Sequence, residues 1–446
     1  MEKVMRIYDI IEKKRDGLAL TRKEIKFFIE NYMKGTIADY QVSALLMAIY
    51  LKGMNDDEVS WLTHAMIESG EKLDLSKIQG VTVDKHSTGG VADTTSLILV
   101  PLLACAGVKV AKMSGKGLGH TGGTIDKLES IPGLNTSMSM EDFIKQVNTV
   151  GAGIIQQTKN ICPADKQLYA LRDVTATVES TPLIASSIMS KKLAMGTDKI
   201  ILDVKCGNGA FMKDEQSAKR LARQMVAIGE KAGVETVAAI TDMNQPLGDA
   251  IGNALEVIEA VQILKGEREG RLKELAVGLG GKMLKMAGLI DNSKQGAEVL
   301  KEKIASGKAI ESFCRMIEAQ GGDSAFIHDY RLICDAKYHY DFVSDKTGYV
   351  KAIDTKALGN ISLALGAGRL RKEDPIEYEP GIWMYKKIGD EVKEGEVMAR
   401  LLANDEEKLE QGKSMLHHVF HFSDTKVKPP QLIKAIITSE EEKIYY

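Results

Sequence analysis

The chain carries little net charge, few cysteines and no long apolar run, and each shortage removes a class of function. Lys and Arg total 59 against 62 Asp and Glu, a formal charge of −3. No basic tract concentrates the positive charge, so nothing in the sequence draws nucleic acid from a distance. The five cysteines (Cys105, Cys162, Cys206, Cys314, Cys334) are scattered, odd in number and without CxxC spacing. That pattern argues against a disulfide framework or zinc site and for a reducing compartment. No apolar run approaches membrane-spanning length, and the opening MEKVMRIYDIIEKKRDG reads as a charged amphipathic helix without a signal-peptide core. A cytoplasmic protein engaging neither membrane nor nucleic acid is expected.

What the chain does have is length and glycine-rich punctuation. Its 446 residues suffice for two or three domains, and 44% hydrophobic with 27% charged residues is an ordinary globular balance. The first 70 residues read as helical: Thr21 and Glu24 have capping-box spacing, QVSALLMAIYLKG ends at Gly53, and NDDEVSWLTHAMIESG ends at Gly70. From about 80 the texture becomes short β-branched runs, at 81–84, 108–112, 153–156, 199–205 and 236–241, alternating with helical stretches such as SAKRLARQMVAIGEKAG and ALEVIEAVQILKG. This predicts a mainly parallel sheet covered by helices, with ligands at the carboxyl ends of its strands. The stretch at 163–196 breaks the rhythm, is helix-like, and is expected to pack back on the N-terminal helices. After about 340, GYVKAID and PGIWMYKKIGDEVKEGEVMARLLAND read as short strands and tight turns.

The predicted fold class is therefore α/β, with a discontinuous small all-α domain, a larger α/β domain and a C-terminal α+β or β-rich portion. The expected division is 1–70 (α), 71–162 (α/β), 163–196 (inserted α), 197–339 (α/β, continued) and 340–446 (β-rich).

Two glycine-rich loops, KHSTGG at 85–90 and SGKGLGHTGGTIDKLE at 114–129, follow strand candidates within forty-five residues of each other. Glycine lets backbone N–H groups close on an anion, and Lys, Ser and Thr add donors, so a phosphate held between the loops is expected. Rival motifs fit less well. Gly117, Gly119 and Gly122 satisfy G-x-G-x-x-G, but a glycine-dense loop does so by chance, and MSGK separates the first glycine from the strand. The Walker A pattern is absent, and in SSIMSKK no lysine lies three residues after a serine. The turn GDEVKEGE is shared with biotin- and lipoyl-carrier domains, yet no lysine stands in their MKM-type setting.

Taken together, KHSTGGVADTTS, KMSGKGLGHTGGTIDKLESIPG, YALRDVTATVES, SSIMSKK and DMNQPLGDAIGNALEVIEA closely resemble the thymidine and pyrimidine-nucleoside phosphorylase family, in order and over essentially the whole chain. The resemblance implies reversible phosphorolysis of uridine, deoxyuridine and thymidine to the free base and (deoxy)ribose 1-phosphate. It also implies a homodimer whose α and α/β domains close over a cleft. By resemblance, Lys85, His86, Ser87, Ser96, Lys112, Met113, Ser114 and Thr124 match phosphate-binding positions. Arg172, Ser187 and Lys191 match base-binding positions, and His86, Arg172 and Lys191 form the implied catalytic set. Ser187 and Lys191, four apart, share one helical face. A potassium ion is implied at Ala92, Thr94, Leu247, Ala250 and Glu259, an all-oxygen set suited to a hard monovalent cation.

The chain departs from the family at Ala92, where glycine is usual, and at Lys116, where arginine is usual; lysine keeps the charge but not the planar fork. KMSG and DTTS resemble the broad-specificity branch rather than the thymidine-specific one. Taken singly, Arg172 beside Asp173 reads as an ion pair, Ser187 as a helix-surface hydroxyl, and His86 as either structural or catalytic. His120 is expected only to orient its loop, and His417 and His418 to pack or lie at the surface. A thymidine-specific phosphorylase, or a non-catalytic phosphate or nucleoside binder on the same fold, remain the alternative functions.

Overall fold

The computed structural model describes residues 4–117, 122–158, 160–369 and 374–444. Gly119 and His120 lie outside them.

Four helices open the chain: α1 (Ile7–Arg15), α2 (Arg22–Met33), α3 (Asp39–Lys52) and α4 (Asp56–Glu68). The expected capping box forms, with Thr21 accepting from the Glu24 amide and the Glu24 side chain reaching back; Asn55 and Glu58 repeat it at α4. Gly53 ends α3 at φ +73°. These helices share one apolar core with Ala164, Leu168 and Leu183, so the inserted stretch packs back on them.

The middle of the chain alternates: β1 (Thr82–Ser87), α5 (Thr95–Ala104), β2 (Lys109–Ser114), α6 (Thr124–Glu129), α7 (Met140–Val150), β3 (Ala152–Gln156), α8 (Pro163–Val174), α9 (Thr181–Ala194), β4 (Lys199–Cys206), α10 (Glu215–Lys231) and β5 (Glu235–Asp242). All five predicted strand runs are strands. They pair in parallel in the order β5-β4-β1-β2-β3, with Val83 opposite Val110 and Ser87 opposite Asp203. Alternate residues of β4 and β5 feed different cores. Ile201, Val237 and Ala239 join the core that includes α5 and the later helices, whereas Ile200, Leu202, Val204, Ala238 and Ile240 pack with α9 and α10. Burial on both faces explains the nearly continuous apolar runs. After β1 the chain builds outward through β2 and β3, then returns to β1's other side as β4. That reversal opens a crevice at the carboxyl end of β1, where ligands of such sheets collect.

The remainder comprises β6 (Ala250–Gly252), α11 (Ala254–Leu264), α12 (Arg271–Met286), α13 (Ser293–Ala305), α14 (Lys308–Ala319), β7 (Tyr338–Val343), β8 (Gly348–Ile353), α15 (Thr355–Ser362), β9 (Gly381–Met384), β10 (Glu391–Val392), β11 (Val397–Ala403), α16 (Glu406–Leu416), β12 (Phe420–Ser423), β13 (Ile433–Ile437) and β14 (Glu442–Ile444). The portion beyond 340 is strand-rich but not self-contained. β6 pairs with β9, and β13 returns to lie antiparallel to β5 in the large sheet, with β14 at its edge. The expected boundary at 340 therefore does not separate the last two strands from the α/β domain, because Ala435 and Ile437 of β13 pack in its core and β14 pairs with β13.

Candidate functional site

The charged residues of the crevice stand on the carboxyl ends of β1, β2 and β4, where the apolar runs give way to DKHS, KMS and DVK. Lys85 Nζ lies 2.9 Å from Asp203 Oδ2 and 3.6 Å from Asp93; Lys205 Nζ lies 2.7 Å and 3.5 Å from the same carboxylates. Ser87 Oγ donates to Asp93 at 2.5 Å and accepts the Gly89 amide at 3.2 Å. Burial works against the charge on Asp93, yet Lys205 and Lys85 overcome it and hold the carboxyl well below its usual range.

Beside this cluster, Asp84 is shared by Lys112 at 3.3 Å and Lys192 at 2.7 Å; Lys192 also reaches the Met113 carbonyl at 3.2 Å, and Lys112 the Lys85 carbonyl. Four buried lysines thus face three buried aspartates, leaving one positive charge uncompensated. A buried positive excess calls for an anion. The strain in Lys112 and His86 records it. Burial, opposed by Asp84 and reinforced by Lys192 and Lys85, pushes Lys112 down to about 8. Burial, then Lys192, Lys112, Lys191 and Lys85, hold His86 well below its ordinary value.

The other implied phosphate positions fall at the ends of neighbouring elements. Met113 and Ser114 end β2, Ser96 lies in the first turn of α5, and Thr124 begins α6. The residues implied for the base come from the insert. Lys191 Nζ lies 2.5 Å from Asp165 Oδ2 and donates to Ser187 Oγ at 3.0 Å, as their shared helical face predicts. Ser187 is 5% exposed, so it is not a surface hydroxyl. No ion pair with Asp173 is described for Arg172: its guanidinium donates to the carbonyls of Thr177 (3.3 Å), Val178 (2.6 Å) and Leu183 (3.1 Å), pinning the α8–α9 turn, and lies 5.5 Å from the Tyr169 ring centre. Asp165 acts electrostatically on it as well. The neighbours Lys191 and Lys192 on α9 reach different partners, so one helix joins the Asp165–Ser187 cluster to the cluster of lysines and aspartates around Asp84.

The residues implied for potassium converge. The Gly248 amide donates to the Ala92 carbonyl at 3.0 Å, and Glu259 accepts from the Asp249 and Ala250 amides at 2.7 and 3.0 Å. Thr94 continues the same segment, its hydroxyl donating to Glu256. A Cβ on Gly248 would lie 2.4 Å from Glu259 Oε2, so only glycine allows the carboxylate this close. Burial and Asp249 push Glu259 up to about 7. The carboxylate supplies the hard oxygen ligand a monovalent cation takes, although Arg268 already stands 3.7 Å from it. Lys387, from the C-terminal portion, donates to the neighbouring carbonyls of Pro246 at 2.9 Å and Gly248 at 2.5 Å. Among the described residues no group of three or more His, Cys, Asp or Glu could hold a metal. His417 packs edge-on against Phe342.

Three non-glycine residues among those described take left-handed backbone: Ala92 (φ +57°) in this region, Cys162 (+49°) before α8, and Ala176 (+56°) in the α8–α9 turn. Such strain gathers at functional sites. The sequence reading missed Asp84, Asp93, Asp165, Lys192, Asp203, Lys205 and Glu256. Asp203 and Lys205 did carry a signal, since they break an apolar strand at its carboxyl end.

A pyrimidine-nucleoside phosphorylase of Geobacillus stearothermophilus is 51% identical over 429 residues, covering 96% of this chain and 99% of that protein. The chain belongs to the pyrimidine-nucleoside phosphorylase family. A second member, from Staphylococcus haemolyticus, is 53% identical over 402 residues, covering 90% and 93%. Residues 79–310 match the glycosyl transferase family a/b domain, 8–70 that family's helical bundle domain, and 349–423 the pyrimidine nucleoside phosphorylase C-terminal domain. The crystal structure of anthranilate phosphoribosyltransferase from Thermus thermophilus shares the fold of this phosphorylase-family chain, with a TM-score of 0.58, 20% identity, and coverage of 70% of this chain and 99% of that one.

Proposed function

We propose that the protein catalyses reversible phosphorolysis of pyrimidine nucleosides, with uridine, deoxyuridine and thymidine as substrates. One observation carries this reading: the pocket with a surplus positive charge adjoins, through α9, a Ser–Lys–Arg set whose donors suit pyrimidine carbonyls. Hydrogen phosphate binds among Lys85, Ser87, Ser96, Lys112, Ser114 and Thr124, offsetting the excess. Its oxygen bonds to C1′ as the C1′–N1 bond breaks and the bonding pair leaves with the base. The phosphate's proton is lost as the sugar phosphate forms, and the base gains one, so the reaction balances. Lys191, Arg172 and Ser187 stabilise charge on the departing base. His86, which burial and the nearby lysines hold neutral in the free protein, gains proton affinity from a bound dianion and can then donate to it.

Potassium at Ala92, Thr94, Leu247, Ala250 and Glu259 would supply fixed positive charge between the two segments. Homodimerisation is supported by exposed apolar side chains on and beside the packed helices α1 and α3, including Tyr8, Tyr40, Tyr50 and Leu51. A cytoplasmic location is supported by five free cysteines; no helix among the described residues is long and apolar enough to cross a membrane.

The test is release of free base from uridine and thymidine with phosphate, with arsenate and with neither. Release should require one of the two anions, and arsenate should make cleavage irreversible because its sugar ester hydrolyses. Equal release in buffer free of both would overturn phosphorolysis.

A further inference from the structure

We propose that Arg369, from the C-terminal portion, is a positioning residue for the second glycine-rich loop and thereby for phosphate; this rests on the phosphorolytic reading above. Arg369 is 7% exposed, and its guanidinium spans two groups of that loop. One nitrogen donates to Asp126 Oδ1 at 2.9 Å and another to the Gly117 carbonyl at 3.2 Å. Asp126 in turn accepts the Gly117 amide on its other oxygen at 2.6 Å. Gly117 is thus held through both its N–H and its carbonyl.

The held point closes the neck of the loop. A Cβ on Gly123 would lie 2.1 Å from the Gly117 nitrogen, so the outgoing and returning strands of the loop touch there. Ser114 lies just before this neck and Thr124 just after it, and both are proposed phosphate donors. Their relative placement follows from how the neck is tied. Lys116 cannot replace the tie, because its ammonium is turned to Glu129 at 2.8 Å and is half exposed.

A planar fork bonded to a carboxylate and a carbonyl is a geometry a single ammonium cannot reproduce. Among the described hydrogen bonds and ion pairs Arg369 reaches no implied substrate position, so its effect is expected in phosphate use and not in base recognition.

The experiment begins with the unmodified protein, in which phosphate must both drive base release and raise the melting temperature; if it does neither, the phosphorolytic reading fails. Given that result, Arg369→Met should raise KM for phosphate about ten- to a hundred-fold, since small misplacements of donors are felt this strongly. KM for uridine should stay within about two-fold, and the phosphate-induced rise in melting temperature should shrink. Arg369→Lys should recover part of the loss. Asp126→Asn combined with Arg369→Met should be no worse than the worse single variant, because both act through one tie. An unchanged phosphate KM, or equal rises in both KM values, would overturn the proposal. If the Met variant does not fold, Arg369→Lys decides on the same criterion.

Discussion

At Ala92 the backbone holds φ +57° with the side chain 2% exposed. A left-handed L-residue costs about 1–2 kcal/mol, while glycine's extra unfolded-state freedom costs roughly 0.5–1 kcal/mol. Ala92→Gly should therefore be neutral or stabilising by up to about 1.5 kcal/mol in urea unfolding. Ala92→Val, β-branched and buried, should lose more than about 2 kcal/mol; a valine variant as stable as its parent would show that the segment escapes the left-handed region. Lys112 offers a pH test. With its folded value pushed down to about 8, it is charged below that pH and neutral above it. Inorganic phosphate is already dianionic there, so kcat/KM for phosphate should fall as pH rises through about 8. Lys112→Met should lower the plateau and remove that limb. A flat parental profile between about pH 7 and 9.5 would contradict the crowding of charges around it.

The element on which the site turns is α9. Its two adjacent lysines do different work: Lys191 bonds Asp165 and Ser187, while Lys192 docks the helix onto Asp84 of β1 and the Met113 carbonyl of β2. Lys192→Met leaves Asp84 buried with Lys112 as its sole ammonium partner among the ion pairs described, and should cost about 1–3 kcal/mol of stability. Lys191→Ala also removes the ammonium beside buried Asp165 and costs stability too, but it alone should lower kcat and kcat/KM together by roughly 30- to 1000-fold, as loss of a donor to a developing anion does. Urea unfolding and steady-state kinetics on both variants separate docking from chemistry. Reversal of the two phenotypes would exchange the roles assigned here.

Across the whole molecule, the C-terminal portion is tied into the site's surroundings at several points. Lys387 bonds the Pro246 and Gly248 carbonyls, the Gln245 side chain accepts the Ile388 amide at 2.8 Å, and Arg369 reaches the second glycine-rich loop. At the opposite end, the exposed apolar side chains near α1 and α3 account for the proposed pairing of two copies. Leu51→Asp, at a side chain 70% exposed in the single chain, should shift the mass measured by light scattering from dimer to monomer without lowering the monomer's helix content. A parent protein that is already monomeric at micromolar concentration would sink that reading.

Local pattern sufficed for much of this protein. The five strands of the parallel sheet, the capping box at Thr21 and the shared face of Ser187 and Lys191 depend on residues within a few positions of one another, so period and cap residues reveal them. The two glycine-rich loops were legible for the same reason. Tertiary structure alone decided which charges meet. Arg369 pairs with Asp126 across 243 positions and Lys192 with Asp84 across 108. It also decided that the last two strands rejoin the large sheet. Such pairings follow from strand register and packing, and a buried charge finds its counter-charge only once both have left water, so no local pattern records them.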